Sequence, residues 1–471
     1  MSPSSAPSFA RDARAAMTDK AIMVLMVLAT ALLVVIPLHA HVAVWSWSFL
    51  VIAGTIAWFG HRDCGWPPHS TQVRTALRLW AALALVACLI DGVMSLGHGE
   101  SLNTMRHDGN LLVASVFTLV LWPWAVHRER KVHEASSDSP SSSSQTSPVS
   151  RIALNSPPRD LPLAALWPMA LVLQMGMAAW VAVAWPRAHL PPSPLPWATG
   201  VALSLAVIAP LVREHAPRIG GAAVWRAALW VAVVAGIVAV LGSRSRSAWI
   251  VLPWLMVMAV ATSRHRIKTT LLTSALAAGA LLTVVHHEAQ LPVQVERGLR
   301  LLDLWEELAR VGQPDAGSST GSRVLMWQAA WQSLLAHPWT GIGMQGRVEL
   351  VQQVVPPTLM VDIEPLVHVH QQFLNQAVDH GVPGLIAACL SAGALGVLAW
   401  KVPAGTLRWQ LAGVAVVHVG GLLFNANMTH GPYAFAVAMA VVSAVMMHAG
   451  RAADEGGVMT DRLQVPEGTG A

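Results

Sequence analysis

Ala21-Ile-Met-Val-Leu-Met-Val-Leu-Ala-Thr-Ala-Leu-Leu-Val-Val-Ile-Pro-Leu38 runs for eighteen residues without a charge. About 17 to 25 apolar residues cross the hydrocarbon of a bilayer, whereas the apolar core of a signal peptide is roughly 7 to 15 residues long. The stretch is therefore long enough to stay in the membrane as a helix, and similar runs recur down the chain. Twelve spans are expected, at 21–38, 41–59, 75–95, 110–126, 161–184, 197–212, 223–241, 247–263, 269–285, 381–400, 406–424 and 432–448. Composition agrees. Of 471 residues, 54% are hydrophobic and 12% charged, about half the charged fraction of a soluble domain. The expected fold is an all-α polytopic membrane protein of about 12 transmembrane helices.

The net charge of +5 reads first as a topology signal, because Lys and Arg gather on the cytoplasmic side. An N-terminus in the cytoplasm puts all four lysines inside: Lys20, Lys131, Lys268 and Lys401. The outward cations are then all arginines: Arg106, Arg187, Arg244, Arg246, Arg297, Arg300, Arg310, Arg323 and Arg347. This assigns residues 1–20 and 449–471 to cytoplasmic tails, 21–126 to spans one to four, and 161–285 to spans five to nine. It makes 286–380 a large outer loop and 381–448 the last three spans. Residues 127–160, rich in Ser and Pro, read as a disordered cytoplasmic linker. Cys64, Cys88 and Cys389 lie far apart with no metal-ligand spacing, so neither a disulfide framework nor a Cys-based zinc site is expected.

The outer loop is the one extramembrane piece large enough to build a site, and it holds ten acids against five arginines. Val293–Val311 reads as an amphipathic helix, either lying at the membrane surface or packed on the bundle with its charged face solvated. Gly317–Ser322 caps a helix that continues through Arg323, Trp327 and Trp331 and stops at His337-Pro338. Arg323 falls in its first turn, where a cation opposes the helix dipole unless an anion is shared there, or an acid of the loop pairs with it. Gly341-Ile-Gly343-Met-Gln-Gly346 copies a dinucleotide fingerprint, but a Pro-stopped helix precedes it where a strand is needed, so it reads as a Gly-rich turn. His370, Leu374, Ala377 and Gly381 fall on one helical face leading into the tenth span. His368 and His370, two apart, point to different sides of that helix, which argues against zinc. With a near-neutral pKa, His370 suits a general base. Gly242-Ser-Arg244-Ser-Arg246 sets two arginines at the outer boundary, where they ask for a negative partner, a lipid headgroup or a substrate diphosphate. Structural hydrogen bonding is expected of Asp91 and His418. A transporter or flippase for an anionic lipid is the competing class, but the chain carries no internal repeat and its unusual cations lie at one face.

Together, Ser245-Arg246-Ser-Ala-Trp249, Arg323-x-x-x-Trp327, His337-Pro338-Trp-Thr-Gly341-Ile-Gly343 and His370-x-x-x-Leu374 followed by Gly381-Val-Pro-Gly384 resemble bacterial O-antigen ligases. These ligases share a superfamily with O-antigen polymerases and protein O-oligosaccharyltransferases. The resemblance covers about Leu241 to Leu385, with two departures. Gln371 stands where the family often has Asn, and the doubled Ser-Arg allows either Arg246 or Arg244 to be the counterpart. The resemblance implies a GT-C-like glycosyltransferase of the Gram-negative inner membrane with a mainly helical periplasmic loop. It implies metal-independent, inverting transfer of glycan from undecaprenyl diphosphate to a sugar hydroxyl of lipid A–core, in lipopolysaccharide biosynthesis. His370 would be the base; Arg246, Arg323 and Arg244 would bind the diphosphate; Trp327, His368 and Gly343 would contact substrate. No metal or other cofactor and no nucleic acid is expected; membrane lipids are.

Overall fold

The computed structural model describes residues 6–39, 41–61, 66–67, 70–100, 106–137, 163–185, 189–190, 194–213, 222–243, 245–275, 319–354 and 367–463. The helices are α1 (Ala6–Val35), α2 (His41–Gly60), α3 (Thr71–Gly97), α4 (Arg106–Ser137), α5 (Leu163–Ala184), α6 (Pro194–Ile208), α7 (Ala222–Gly242), α8 (Val251–Thr262), α9 (Ser319–Ala336), α10 (Gly343–Val354), α11 (Gln372–Lys401), α12 (Thr406–Phe424) and α13 (Gly431–Leu463), with a further helical stretch at 266–275. Among the described residues there is no strand, as expected where every backbone N–H and C=O in lipid must be satisfied within its own segment. The chain is an all-helical polytopic membrane protein.

Among the described residues, ten helices are long and apolar enough to cross a membrane. They match the expected spans except the eighth and ninth. The eighth is a shorter apolar helix, Ser247–Thr262, whose first turn is a 3₁₀ segment, Arg246–Ile250. Only part of the ninth, 269–285, is described, and there residues 269–275 are helical. α4 also continues to Ser137, into the stretch expected as linker; residues 138–162 lie outside the described set.

α6 is the hub. Its apolar and small residues surround the whole helix, which is nearly all buried, and a helix apolar all round belongs inside a bundle. It packs against α5, α7, α12 and α13, while α3 lies along α11 and α4 along α13. Hydrogen bonds gather one end of the bundle. The Trp197 indole donates to the Pro37 carbonyl (3.0 Å), Ser245 Oγ to the Pro194 carbonyl (3.0 Å), and the Met428 N–H to Gln372 Oε1 (3.2 Å). At the opposite end Asp19 takes the Trp124 indole N–H (2.9 Å) and lies 2.9 Å from His61 Nε2. The starts and ends of successive helices thus alternate as a chain crossing back and forth requires. α9 and α10 sit over the first end, on α11.

Candidate functional site

The site forms where α11 breaks. Gly381 leaves helical geometry (φ 67°, ψ −152°), and Pro383 follows. In an unbroken helix the Val382 N–H would bond to the Val378 carbonyl. Here the two groups part, and each takes a partner from the turn between α9 and α10. The Val382 N–H donates to the Pro338 carbonyl (2.7 Å), and the Val378 carbonyl accepts from the Ile342 N–H (2.8 Å). Pro383 brings no N–H to be left stranded. Gly341 and Gly381 both have φ of 67°, open to Gly at little cost. A Cβ on Gly341 would strike the Asp379 carbonyl, and one on Gly381 the Pro338 carbonyl. The two Gly-rich motifs are thus halves of one backbone joint.

The end of α3 clamps this joint. Glu100 Oε1 accepts the Met344 N–H (2.6 Å) in the first turn of α10, where the helix dipole favours a carboxylate. His98 Nε2 lies 2.7 Å from the Thr340 carbonyl and so donates to it. Gly343 rests against both side chains; what its lack of a side chain admits is the end of α3. Asp91 Oδ1 pairs with His380 Nδ1 (2.9 Å) and accepts from Gln376 Nε2 (3.3 Å). Arg347 bonds to Asp379 inside the protein and donates to the Val367 carbonyl (3.0 Å). Both Asp91 and His418, which meets the Tyr433 hydroxyl at 3.0 Å, serve hydrogen bonding as expected.

Residues 367–371 then carry the histidines. Val369 enters a small apolar core of Met326, Ala330, Val351 and Val378, a burial contributing about 1.5–3 kcal/mol. Its carbonyl accepts the Trp327 indole N–H (3.0 Å), so this indole positions the histidine segment. Gln371 caps α11, its side chain accepting from the Leu374 N–H. His370 therefore precedes the helix. The expectation that it shares a helical face with Leu374, Ala377 and Gly381 is corrected, because the cap takes an extended backbone one residue later. His370 is the one non-Gly residue with positive φ (53°) among the described residues, a conformation costing on the order of 1–2 kcal/mol. The two histidines do not diverge either. Outside a helix, the rings of His368 and His370 meet edge to face with centroids 4.4 Å apart, and His430 lies 5.9 Å from His368.

Arg323 and His370 converge on adjacent residues at the end of α12. His370 Nδ1 lies 3.0 Å from Asn425 Oδ1, and Arg323 Nη1 lies 3.4 Å from the Phe424 carbonyl. Burial holds the His370 imidazole well below the usual histidine range; His368 and the Arg323 guanidinium push the same way, and the Asn425 hydrogen bond opposes them. Burial, His430 and Arg347 push His368 down to about 3. Both rings are neutral near pH 7. Arg246 opens the 3₁₀ turn at the α7–α8 corner, which packs on α12 and α6. The Arg246 side chain, all of Arg244 and the stretch 293–311 lie outside the described residues. Trp331 is exposed on α9.

Sequence reasoning missed Glu100, His98 and the Arg347–Asp379 pair, whose partners are remote in the chain. It also missed Asn425 and Asn427, although two amides in a turn between two apolar runs are a legible signal. A search of curated proteins returned no match. Residues 231–389 match the family model described as O-Antigen ligase, so the stretch from α7 into α11, which holds Arg323, His370 and the backbone joint, is similar to that family.

Proposed function

We propose that the protein is an O-antigen ligase that transfers glycan from undecaprenyl diphosphate to a sugar hydroxyl of lipid A–core, with inversion and without metal. The observation that carries this reading is the meeting of a neutral, anchored His370 with Arg323 at the end of α12. In the reaction His370 Nε2 accepts the proton of the acceptor hydroxyl while that oxygen bonds to the anomeric carbon. The bond from that carbon to the diphosphate breaks, and the leaving diphosphate keeps the electron pair. Arg323, with Arg246 or Arg244, holds the negative charge that develops there. A weakly basic imidazole also gains strength when it is needed: a bound diphosphate offsets the Arg323 charge, and the imidazolium becomes easier to form.

Trp327 and His368 shape the floor on which substrate sits, and Gly343 lets the turn close on α3. Orientation supports a periplasmic site in the inner membrane. All four lysines belong to segments at the end of the bundle away from the histidines, the end the positive-inside rule assigns to the cytoplasm. Residues 286–380 would then be the periplasmic catalytic loop, between spans 161–285 and 381–448.

The test is purified protein in lipid nanodiscs with a polyprenyl-diphosphate-linked glycan, lipid A–core and EDTA. Transfer to the core supports the ligase. Joining of single repeat units into longer donor would make the protein a polymerase, transfer to a polypeptide an oligosaccharyltransferase, and lipid movement without transfer a flippase. His370→Ala and Arg323→Ala are expected to abolish transfer at normal expression. Full activity in either variant would remove that residue from the mechanism.

A further inference from the structure

A neutral imidazole is a base at only one of its nitrogens, so the reading of His370 as a base requires that something choose which. Thr199 on α6 and Asn425 and Asn427 in the turn after α12 are all essentially inaccessible to solvent. Thr199 Oγ1 donates its one proton to the Leu195 carbonyl (2.9 Å). It can therefore only accept from Asn427, whose Nδ2 lies 3.4 Å away. This turns Asn427 Oδ1 toward Asn425, where it accepts from Asn425 Nδ2 (2.6 Å). The Asn425 oxygen is left facing His370 Nδ1 at 3.0 Å, and an oxygen acceptor there requires a proton on Nδ1. Turning both amides over would present an N–H to Nδ1 and select the other tautomer. It would also turn the Asn427 oxygen toward Thr199 Oγ1, whose one proton is already given to the Leu195 carbonyl, and so lose the Asn427–Thr199 bond.

We infer that Thr199, Asn427 and Asn425 form a directional hydrogen-bond ladder that fixes His370 as the Nδ1–H tautomer and so leaves Nε2 as the proton acceptor. The direction originates in a backbone carbonyl of α6 and passes through two amides to the ring. All three residues lie outside 231–389, the segment that carries the family match. They are positioning residues that act through His370. An amide suits the task because it orients the ring without adding a negative charge to an environment that already holds Arg323, His368 and His430. It also steadies His370 in its positive-φ conformation.

The inference rests on the base role proposed above, and two measurements separate the two ideas. The first is the protonation state of each His370 nitrogen by ¹⁵N NMR of histidine-labelled full-length protein in lipid bilayers, with the resonance assigned by its loss in His370→Asn. Protonated Nδ1 and bare Nε2 are expected in the wild type, with loss of this single tautomer in Asn425→Leu. A bare Nδ1 in the wild type, or an unchanged tautomer in Asn425→Leu, overturns the ladder whatever His370 does in catalysis.

The second is kinetic. Asn425→Leu is expected to lower kcat by at least about ten-fold with KM little changed. Asn425→Asp restores an acceptor and, by its charge, moves the acidic limb of kcat to higher pH. Equal losses in Asn425→Leu and Asn425→Asp, with no movement of the limb, would mark Asn425 as structural and overturn the inference. Full activity of His370→Ala would instead refute the base role and leave the NMR result to judge the ladder.

Discussion

Gly341 and Gly381 face each other across a backbone joint, each lying where a side chain would strike the carbonyl on the other strand of the joint. The helix break at Gly381 is therefore complete in its hydrogen bonding. The Val378 and Val382 groups it releases are both taken up by the 338–342 turn.

Gly341→Ala and Gly381→Ala each impose a left-handed conformation on a residue with a Cβ, costing about 1–2 kcal/mol, and add a clash with backbone that cannot yield. Both variants are expected to lower thermal stability in detergent and to lose transfer activity. Gly393→Ala, a helical position with nothing near the added carbon, is the control and is expected to change neither. Wild-type stability in either joint variant would contradict the packing described.

Arg347 and Asp379 form a buried pair that also holds the Val367 carbonyl. Removing one partner leaves the other charge uncompensated, an effect of about 3–5 kcal/mol in comparable cases. Arg347→Met is expected to reduce folded yield sharply, and Arg347→Met with Asp379→Leu to recover part of it. A double variant no better than the single would mean that the bond to Val367, not the uncompensated carboxylate, dominates.

Activity should persist on mild acidification. The base works unprotonated, and the free protein holds His370 well below the ordinary value, so kcat/KM is expected to keep its plateau below pH 6.5. Bound diphosphate offsets the Arg323 charge, so the acidic limb of kcat should lie at higher pH than that of kcat/KM. Coincident limbs would show that donor binding leaves the base unchanged.

Stability should move with pH in the sense set by His368. Its folded-state value of about 3 lies below the ordinary 6.5, so between these the unfolded chain binds a proton that the folded chain does not. Stability is then full above about pH 6.5 and falls on acidification by about 1.4 kcal/mol per pH unit for each such histidine. Thermal melts of the wild type and His368→Gln across pH 4 to 7 check this. The variant should show the shallower slope.

The apolar runs determined most of the fold by themselves. A span is a local property, about twenty residues that must satisfy their own backbone, and ten helices stand where such runs were read. The α9 helix was legible from its period and its proline stop, but it begins at Ser319, inside the run read as its cap, which moves Arg323 out of the first turn into the second. The eighth run proved a short helix entered by a 3₁₀ turn, since apolarity sets what is buried and leaves its length across the bilayer to packing. In the candidate site, residue types pointed to His370 and Arg323, but helical periodicity misplaced His370, because Gln371 caps the helix after it. Only the tertiary structure decided that Arg347 is occupied inside, that Glu100 and His98 clamp the joint, and that Asn425 meets His370. Hydrogen bonds between groups far apart in the chain leave no periodic trace in it. Their direction depends on which donors and acceptors the folded chain has already used.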